Sequence, residues 1–190
     1  MFTQFTALLD SSVLYPAPLR DLLLQLAFSG LFRGKWTDQI HDEWTSNLLK
    51  NRPDILPEHL AYTRNKINEA VLDCLVTGYE PLIDSFTLPD PDDRHVLAAA
   101  VRAQAQIIVT YNLKDFPSNV LTTYDIEAQH PDAFLRHQID LSHPRFLSSV
   151  KTVRNRLKNP PKTVEEYLDI LVSQNLPQTA SFLKQYADLI

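Results

Sequence analysis

Cysteine and glycine are scarce in this chain. Its single cysteine, Cys74, can form neither an intrachain disulfide nor a cysteine-based zinc site. That suits a reducing compartment, and a cytoplasmic location is expected. Three glycines in 190 residues, with no G-x-G-x-x-G among them, exclude a dinucleotide-binding fingerprint. No G-x-S-x-G occurs, and Cys74 sits in an apolar, helix-like setting, so the chain offers no strong nucleophile for acyl transfer. No apolar run approaches the ~18 residues of a membrane span. Met1–Ser12 lacks the basic start of a signal peptide, and none is expected. Excess positive charge is also missing: the net charge is −5, which does not advertise a nucleic-acid binder.

What is present reads as an ordinary globular protein, with 44% hydrophobic and 22% charged residues. The length suits one domain with a small addition. Phe5–Leu9 is a short apolar run and predicts a buried strand ending at Asp10. Pro16 and Pro18 open a helix carrying Leu19, Leu22, Leu23 and Leu26, with Gly30 as its stop. Lys35-Trp36 predicts a second strand. Thr37 is a good N-cap for a helix to about Leu49. Pro57 opens another helix, on which Leu60, Ile67, Val71 and Cys74 face inward. Gly78–Leu88 reads as a short strand and loop. Pro89–Asp92 is a turn into a helix over Asp93–Gln104. Ile107–Val109 is the clearest strand, β-branched and wholly apolar. Helix followed closely by strand is the rhythm of a parallel α/β sheet. From about residue 131, prolines separate helical stretches only. The expected organisation is therefore an α/β unit over residues 1–130 and a helical C-terminal extension over 131–190.

In an open parallel sheet, ligands bind beyond the carboxyl ends of the strands. Four segments could deliver a carboxylate there: Asp10 ends the first strand, Glu43 lies beside the apolar stripe of its helix, Asp92 and Asp93 start a helix, and Asp115 follows the Ile107–Val109 strand. Crowded carboxylates repel unless a cation compensates, and an oxygen-only donor set suits Mg²⁺ or Mn²⁺. Such an ion can activate water and neutralise charge on a phosphodiester. Each acid also has a plainer reading as a cap or a solvated residue. His41 and His95 have no histidine partner at i+4, so they read as surface or packing residues rather than metal ligands. From Arg145 to Lys162 there are six basic residues and no acidic one. Arg154, Arg156 and Lys158 there, with Arg94, are candidates for phosphate contacts, or else simply a solvated face.

Four segments, in order, resemble those of the PIN domain family. They are Leu8-Leu9-Asp10-Ser11-Ser12-Val13-Leu14, Thr37-Asp38-Gln39-Ile40-His41-Asp42-Glu43, Leu88–Ala100 around Asp93, and Ile108-Val109-Thr110-Tyr111-Asn112-Leu113-Lys114-Asp115-Phe116. The likeness covers about residues 5–128 and is greatest to bacterial VapC-like toxins. It implies a three-layer α/β/α fold with a central parallel sheet, and a Mg²⁺- or Mn²⁺-dependent endoribonuclease inhibited by a partner antitoxin. It also implies that Asp10, Glu43 and Asp93 hold the metal, with Ser12, Thr110 and Asn112 in support. A homodimer is expected. Ser12 replaces a common asparagine. Asn112 replaces a frequent fourth aspartate, which leaves Asp115 and Asp92 to compete for that place. The alternative is a PIN-like scaffold that binds protein or RNA without cutting. A phosphatase of the haloacid dehalogenase type would need an aspartate where Ser12 stands.

Overall fold

The computed structural model describes residues 5–190, so the part of the signal-peptide reading that falls on residues 1–4 lies outside it. Strand β1 (Thr6–Leu9) is buried at every residue. It pairs on one side with β2 (Arg33–Lys35) and on the other with β3 (Ile107–Val109). Beyond β3 lies β4 (Glu127–Gln129), giving the order β2-β1-β3-β4 with every pairing parallel. Leu9 stands opposite Val109 and Leu8 opposite Ile108. The two central strands, β1 and β3, are covered on both faces, hence their largely apolar character. The arrangement is three-layer α/β/α, as the resemblance to the PIN domain family implies.

Helix α1 (Ser11–Leu14) is a single turn between Asp10 and Tyr15. Helix α2 (Ala17–Phe28) has Pro18 in its first turn, where a missing N–H costs nothing. Beyond it Gly30 takes φ 79°, and Leu31 N–H reaches back to the Leu26 carbonyl at 3.2 Å. In α3 (Asp38–Asn51), the Thr37 hydroxyl accepts from Ile40 N–H at 3.0 Å. Helix α4 (Pro57–Ala70) ends before Val71 and Cys74, which stay buried without being helical. The strand expected in Gly78–Leu88 is absent: Pro81 stands at the start of a 3₁₀ turn over Glu80–Ser85, which packs on α5 (Arg94–Arg102). After β3, α6 (Ser118–Leu121) leads to β4, which went unread because Glu127 and Gln129 give it polar ends. Its place is set by main-chain bonds, Glu127 N–H to Gln106 O and Thr110 N–H to Gln129 O.

The C-terminal helices are α7 (Pro131–Leu141), α8 (His143–Arg156), α9 (Val164–Ser173) and α10 (Pro177–Lys184). Packing crosses residue 130 freely. Helix α8 lies on α2, and Phe134 meets Phe32 edge-on at 5.0 Å between ring centroids. Helix α10 is tied to α7 through Asp132, which is 2% exposed. Its carboxylate accepts from Gln178 N–H at 2.9 Å, Thr179 N–H at 2.9 Å and the Thr179 hydroxyl at 2.7 Å. A carboxylate at a helix N-terminus is favoured both by those orphan donors and by the helix dipole.

His41, read as a surface or packing residue, packs at 0% exposure. Its Nδ1 accepts from Trp44 Nε1–H at 2.9 Å, and its Nε2 meets Asn68 Oδ1 at 2.9 Å. The same Asn68 oxygen accepts from Trp36 Nε1–H at 2.8 Å. Burial holds the His41 pKa below its ordinary value, as befits a neutral ring that joins α3 to α4.

Replacing Asp132 by Ala strands two buried donors, each at roughly 1–3 kcal/mol. The melting temperature of the variant, followed by circular dichroism, is expected to fall by about 5–15 °C. Asp132→Asn, which keeps an acceptor, is expected to lose less than half of that.

Candidate active site

Asp10 leaves β1 at its carboxyl end and caps α1. Its N–H still belongs to the sheet, donating to Val109 O at 3.1 Å, while its side chain turns into the crevice above β1 and β3. Four donors meet that carboxylate, the weakest being the Ser11 hydroxyl at 3.4 Å from Oδ1. Ser11 N–H reaches Oδ1 at 2.7 Å, the Ser12 hydroxyl reaches Oδ2 at 2.7 Å, and the Thr110 hydroxyl reaches Oδ2 at 2.8 Å. The holders are themselves held: Tyr111 N–H donates to Ser12 Oγ at 3.1 Å and Asn112 N–H to Thr110 Oγ1 at 3.0 Å. Asp10 is only 3% exposed, so its two oxygens are fixed in direction. Ser12, standing where asparagine is common, supplies the same kind of donor.

Glu43 sits on the second turn of α3, partly covered. Its Oε1 lies 2.6 Å from Nε2 of His95, a buried residue of α5. His95, read as a surface or packing residue, thus fixes the orientation of a candidate carboxylate from another helix. Sequence reasoning missed it because the search for a partner ran along one helix, whereas the partner stands 52 positions away on another. Its only sequence signal was a polar residue two positions after Asp93, on the helix face that buries Val96 and Ala99.

Asp93 lies between these elements, in the 3₁₀ turn Pro91–Asp93 before α5, and makes no capping hydrogen bond. Burial, together with the charges of Asp10, Asp90, Asp115 and Glu43, pushes its carboxyl up to about 7. The four acids that act on Asp93 come from three other segments and its own turn. Asp10, Glu43 and Asp115 are thus each near enough for their charge to act on Asp93. Asp92 is exposed, and its N–H donates to Asp90 Oδ1 at 2.9 Å; it is not among the acids acting on Asp93. Asp90 is, although sequence reading gave it only a turn. Asn112 is exposed and meets Thr110 through its backbone.

The donor set suits a hard divalent cation: all oxygen, one carboxylate immobilised, one raised toward neutrality by its neighbours. Among the described residues, no three acidic, histidine or cysteine side chains stand close enough to enclose an ion as they are.

The basic candidates are placed differently from one another. Arg154 donates to the Lys162 carbonyl at 2.8 Å and the Ile190 carbonyl at 3.2 Å, so its guanidinium clamps the chain's own C-terminal turns. Arg94 donates to Pro91 O at 3.0 Å and lies 3.6 Å from Asp84, bracing the turn that carries Asp93. Arg156 and Lys158 are exposed.

Among proteins of known sequence, a relative from Mycobacterium tuberculosis named "Putative ribonuclease VapC50" is 46% identical over 104 residues, covering 55% of this chain and 60% of the relative. The match thus spans less than two thirds of that protein's length. No solved structure matches. Residues 131–185 match a family described as the VapC50 C-terminal domain, which falls on α7–α10. Residues 6–114 match the PIN domain family, over the segment that carries β1 to β3 and every one of the gathered acids except Asp115, and the chain belongs to that family.

Proposed function

We propose that this protein is a divalent-metal-dependent endoribonuclease, the toxin of a type II toxin–antitoxin pair, acting in the cytoplasm and held in check by a partner antitoxin. The observation that carries the reading is the Asp10 carboxylate anchored by Ser12 and Thr110 at the carboxyl end of β1, with Glu43 held by His95 and Asp93 raised by the charges of Asp10, Asp90, Asp115 and Glu43. The name of the Mycobacterium tuberculosis relative supports the ribonuclease part, and a homodimer is its working assembly.

In this reading Asp10, Glu43 and Asp93 hold Mg²⁺ or Mn²⁺, and Asp115 takes the fourth place in preference to exposed Asp92. The bound ion would supply an activated water and offset charge on the phosphodiester, leaving 5′-phosphate and 3′-hydroxyl ends. The chain's own work is orientation. Ser12 and Thr110 fix both the distance and the direction of Asp10 Oδ2. His95 occupies one oxygen of Glu43, leaving the other to face the site. Partners of this kind commonly matter by 10–100-fold in metal affinity or rate. Asn112 has no charge to offer, so a second ion is held weakly.

The open spacing of the acids is also what a scaffold that binds without cutting would show. Calorimetry with Mn²⁺ separates the two readings, since a stoichiometric site is expected only of the nuclease.

Asp10→Asn is expected to keep its fold and lose Mn²⁺-dependent RNA cleavage by more than the ~100-fold that an outer partner costs. A variant that cuts RNA at the parent rate would overturn the assignment. His95→Leu is expected to weaken Mn²⁺ binding by about 10–100-fold in calorimetry, with His95→Gln, which keeps a donor, recovering part of it.

A carboxyl whose pKa rises on folding binds its proton more tightly in the folded state. Its contribution is therefore full below the ordinary aspartate range and is lost as pH rises through about 7. In chelator, the melting temperature is expected to fall between pH 5 and pH 8. Asp93→Asn should flatten that slope, and Mn²⁺ should restore stability at pH 8 far more than at pH 5. An identical slope in parent and variant would remove Asp93 as its source.

A further inference from the structure

A second cleft adjoins the site and shares Ser12 with it. It has a volume of about 560 Å³ and is lined by Tyr15, Tyr111, His130, Gln174 and Asn175, beside Ser12. Its composition is unlike that of the acidic crevice: three aromatic rings and two amides, with no carboxylate and no cation. The rings come from the end of α1, the turn after β3, and the residue before α7. The amides come from the α9–α10 turn. The C-terminal helices thus build one wall of a cleft whose other wall belongs to the PIN domain.

The walls are fastened to each other. The Tyr111 hydroxyl donates to the Gln174 carbonyl at 2.5 Å, and burial followed by the Asp132 charge pushes its pKa up to about 12, so the donor keeps its proton. His130 meets the Tyr111 ring edge-on at 5.1 Å between centroids. Its Nδ1 accepts from Asp132 N–H at 3.2 Å, which places the ring proton on Nε2. Asn175 is exposed and sits at φ 56°, in the left-handed region that asparagine tolerates. No protein partner of its side-chain amide occurs among the described residues, so it has both a donor and acceptors to offer.

An uncharged cleft of aromatic rings edged by amides does not suit a phosphate or a metal ion. It suits the flat face and polar edge of an unstacked nucleobase, which proteins hold by stacking on tyrosine and histidine and by hydrogen bonds to the base edge. Ser12 joins the cleft to Asp10 through one 2.7 Å bond, so a base lodged here belongs to a nucleotide flanking the phosphate at the acids. We propose that this cleft takes a base of single-stranded RNA next to the cleaved position, and that the C-terminal helices serve as its specificity wall. The inference rests on the ribonuclease reading for its placement of the phosphate.

The test uses the full-length Asp10→Asn chain, short fluorescently labelled homopolymers of A, C, G and U, and anisotropy in the presence of Mn²⁺. One homopolymer is expected to bind in preference to the others. Tyr15→Leu should weaken that binding by about tenfold, the scale of one lost stacking contact, while Tyr15→Phe, which keeps the ring, should stay within about twofold. Asn175→Gly, which accepts the same backbone conformation, should narrow the preference between homopolymers. The proposal is overturned if the parent binds no homopolymer. It is equally overturned if Tyr15→Leu and Asn175→Gly, with unchanged melting temperatures, bind all four as the parent does. Should Tyr15→Leu fail to melt cooperatively, Asn175→Gly alone decides. Cleavage by the chain with Asp10 intact is scored separately: its absence sinks the nuclease reading, while the anisotropy result still judges the cleft.

Discussion

Acids contributed by several segments, whose charges act on one another across one end of a parallel sheet, are the constraint around which this molecule is arranged. At an effective dielectric near 20, two unit charges 4 Å apart repel by roughly 4 kcal/mol, whereas one hydrogen bond to a charged group returns about 1.5–3 kcal/mol. A carboxylate in such company is stabilised by hydrogen-bond donors or else takes up a proton more readily, and here the donors are unequally supplied. Asp10 has Ser11, Ser12 and Thr110, and Glu43 has His95. Asp93 makes no capping bond and is the acid driven up to about 7. The unequal supply of donors makes it the member most altered by a cation.

Ser11 and Ser12 reach Asp10 from the adjoining sequence, whereas register between strands delivers Thr110. Leu9 and Val109 are paired neighbours in β1 and β3, so the residues that follow them, Asp10 and Thr110, emerge side by side. Main-chain bonds from Tyr111 and Asn112 then lock Ser12 and Thr110 in turn. A slip of one position in the pairing would turn every side chain of the strand to the other face and part Asp10 from the Thr110 hydroxyl. The apolar burial of β1 thus does chemical work: it fixes the register that aims the carboxylate.

That division explains what could be read from the sequence. β1 was legible as a short apolar run and β3 as an apolar, β-branched one, and Thr37 announced α3 through its own hydroxyl. Asp10 and Asp115 were legible because each follows an apolar strand. Glu43 and Asp93 owed more to resemblance than to periodicity, since both lie within or beside helices where a solvated acid looks the same. β4 escaped because an edge strand held by main-chain bonds needs no apolar signature. The strand expected in Gly78–Leu88 failed because apolar Leu82 and Ile83 follow Pro81 into a 3₁₀ turn. The Glu43–His95 pair was invisible for a different reason: it joins α3 to α5, and no spacing rule reaches between separate helices.

The same logic bears on how a chain of net charge −5 could hold RNA. Much of its positive charge is spent internally: Arg154 on two backbone carbonyls, Arg94 on the turn before α5 and Asp84, Arg64 on Asp38 and Asp42. Arg20 is buried against Trp44 and the Leu14 carbonyl. Counterion release, the usual source of affinity for a polyanion, is correspondingly small, and the gathered acids oppose it further. Attraction must then come from terms insensitive to the sign of the protein's charge. On the proposed function, a bound divalent ion would convert the acidic crevice from repelling a phosphate to holding one, and stacking in the cleft beside Ser12 would need no charge at all. A protein so built would be selective by necessity, since RNA that cannot offer an unstacked base beside the phosphate would meet a surface that repels it.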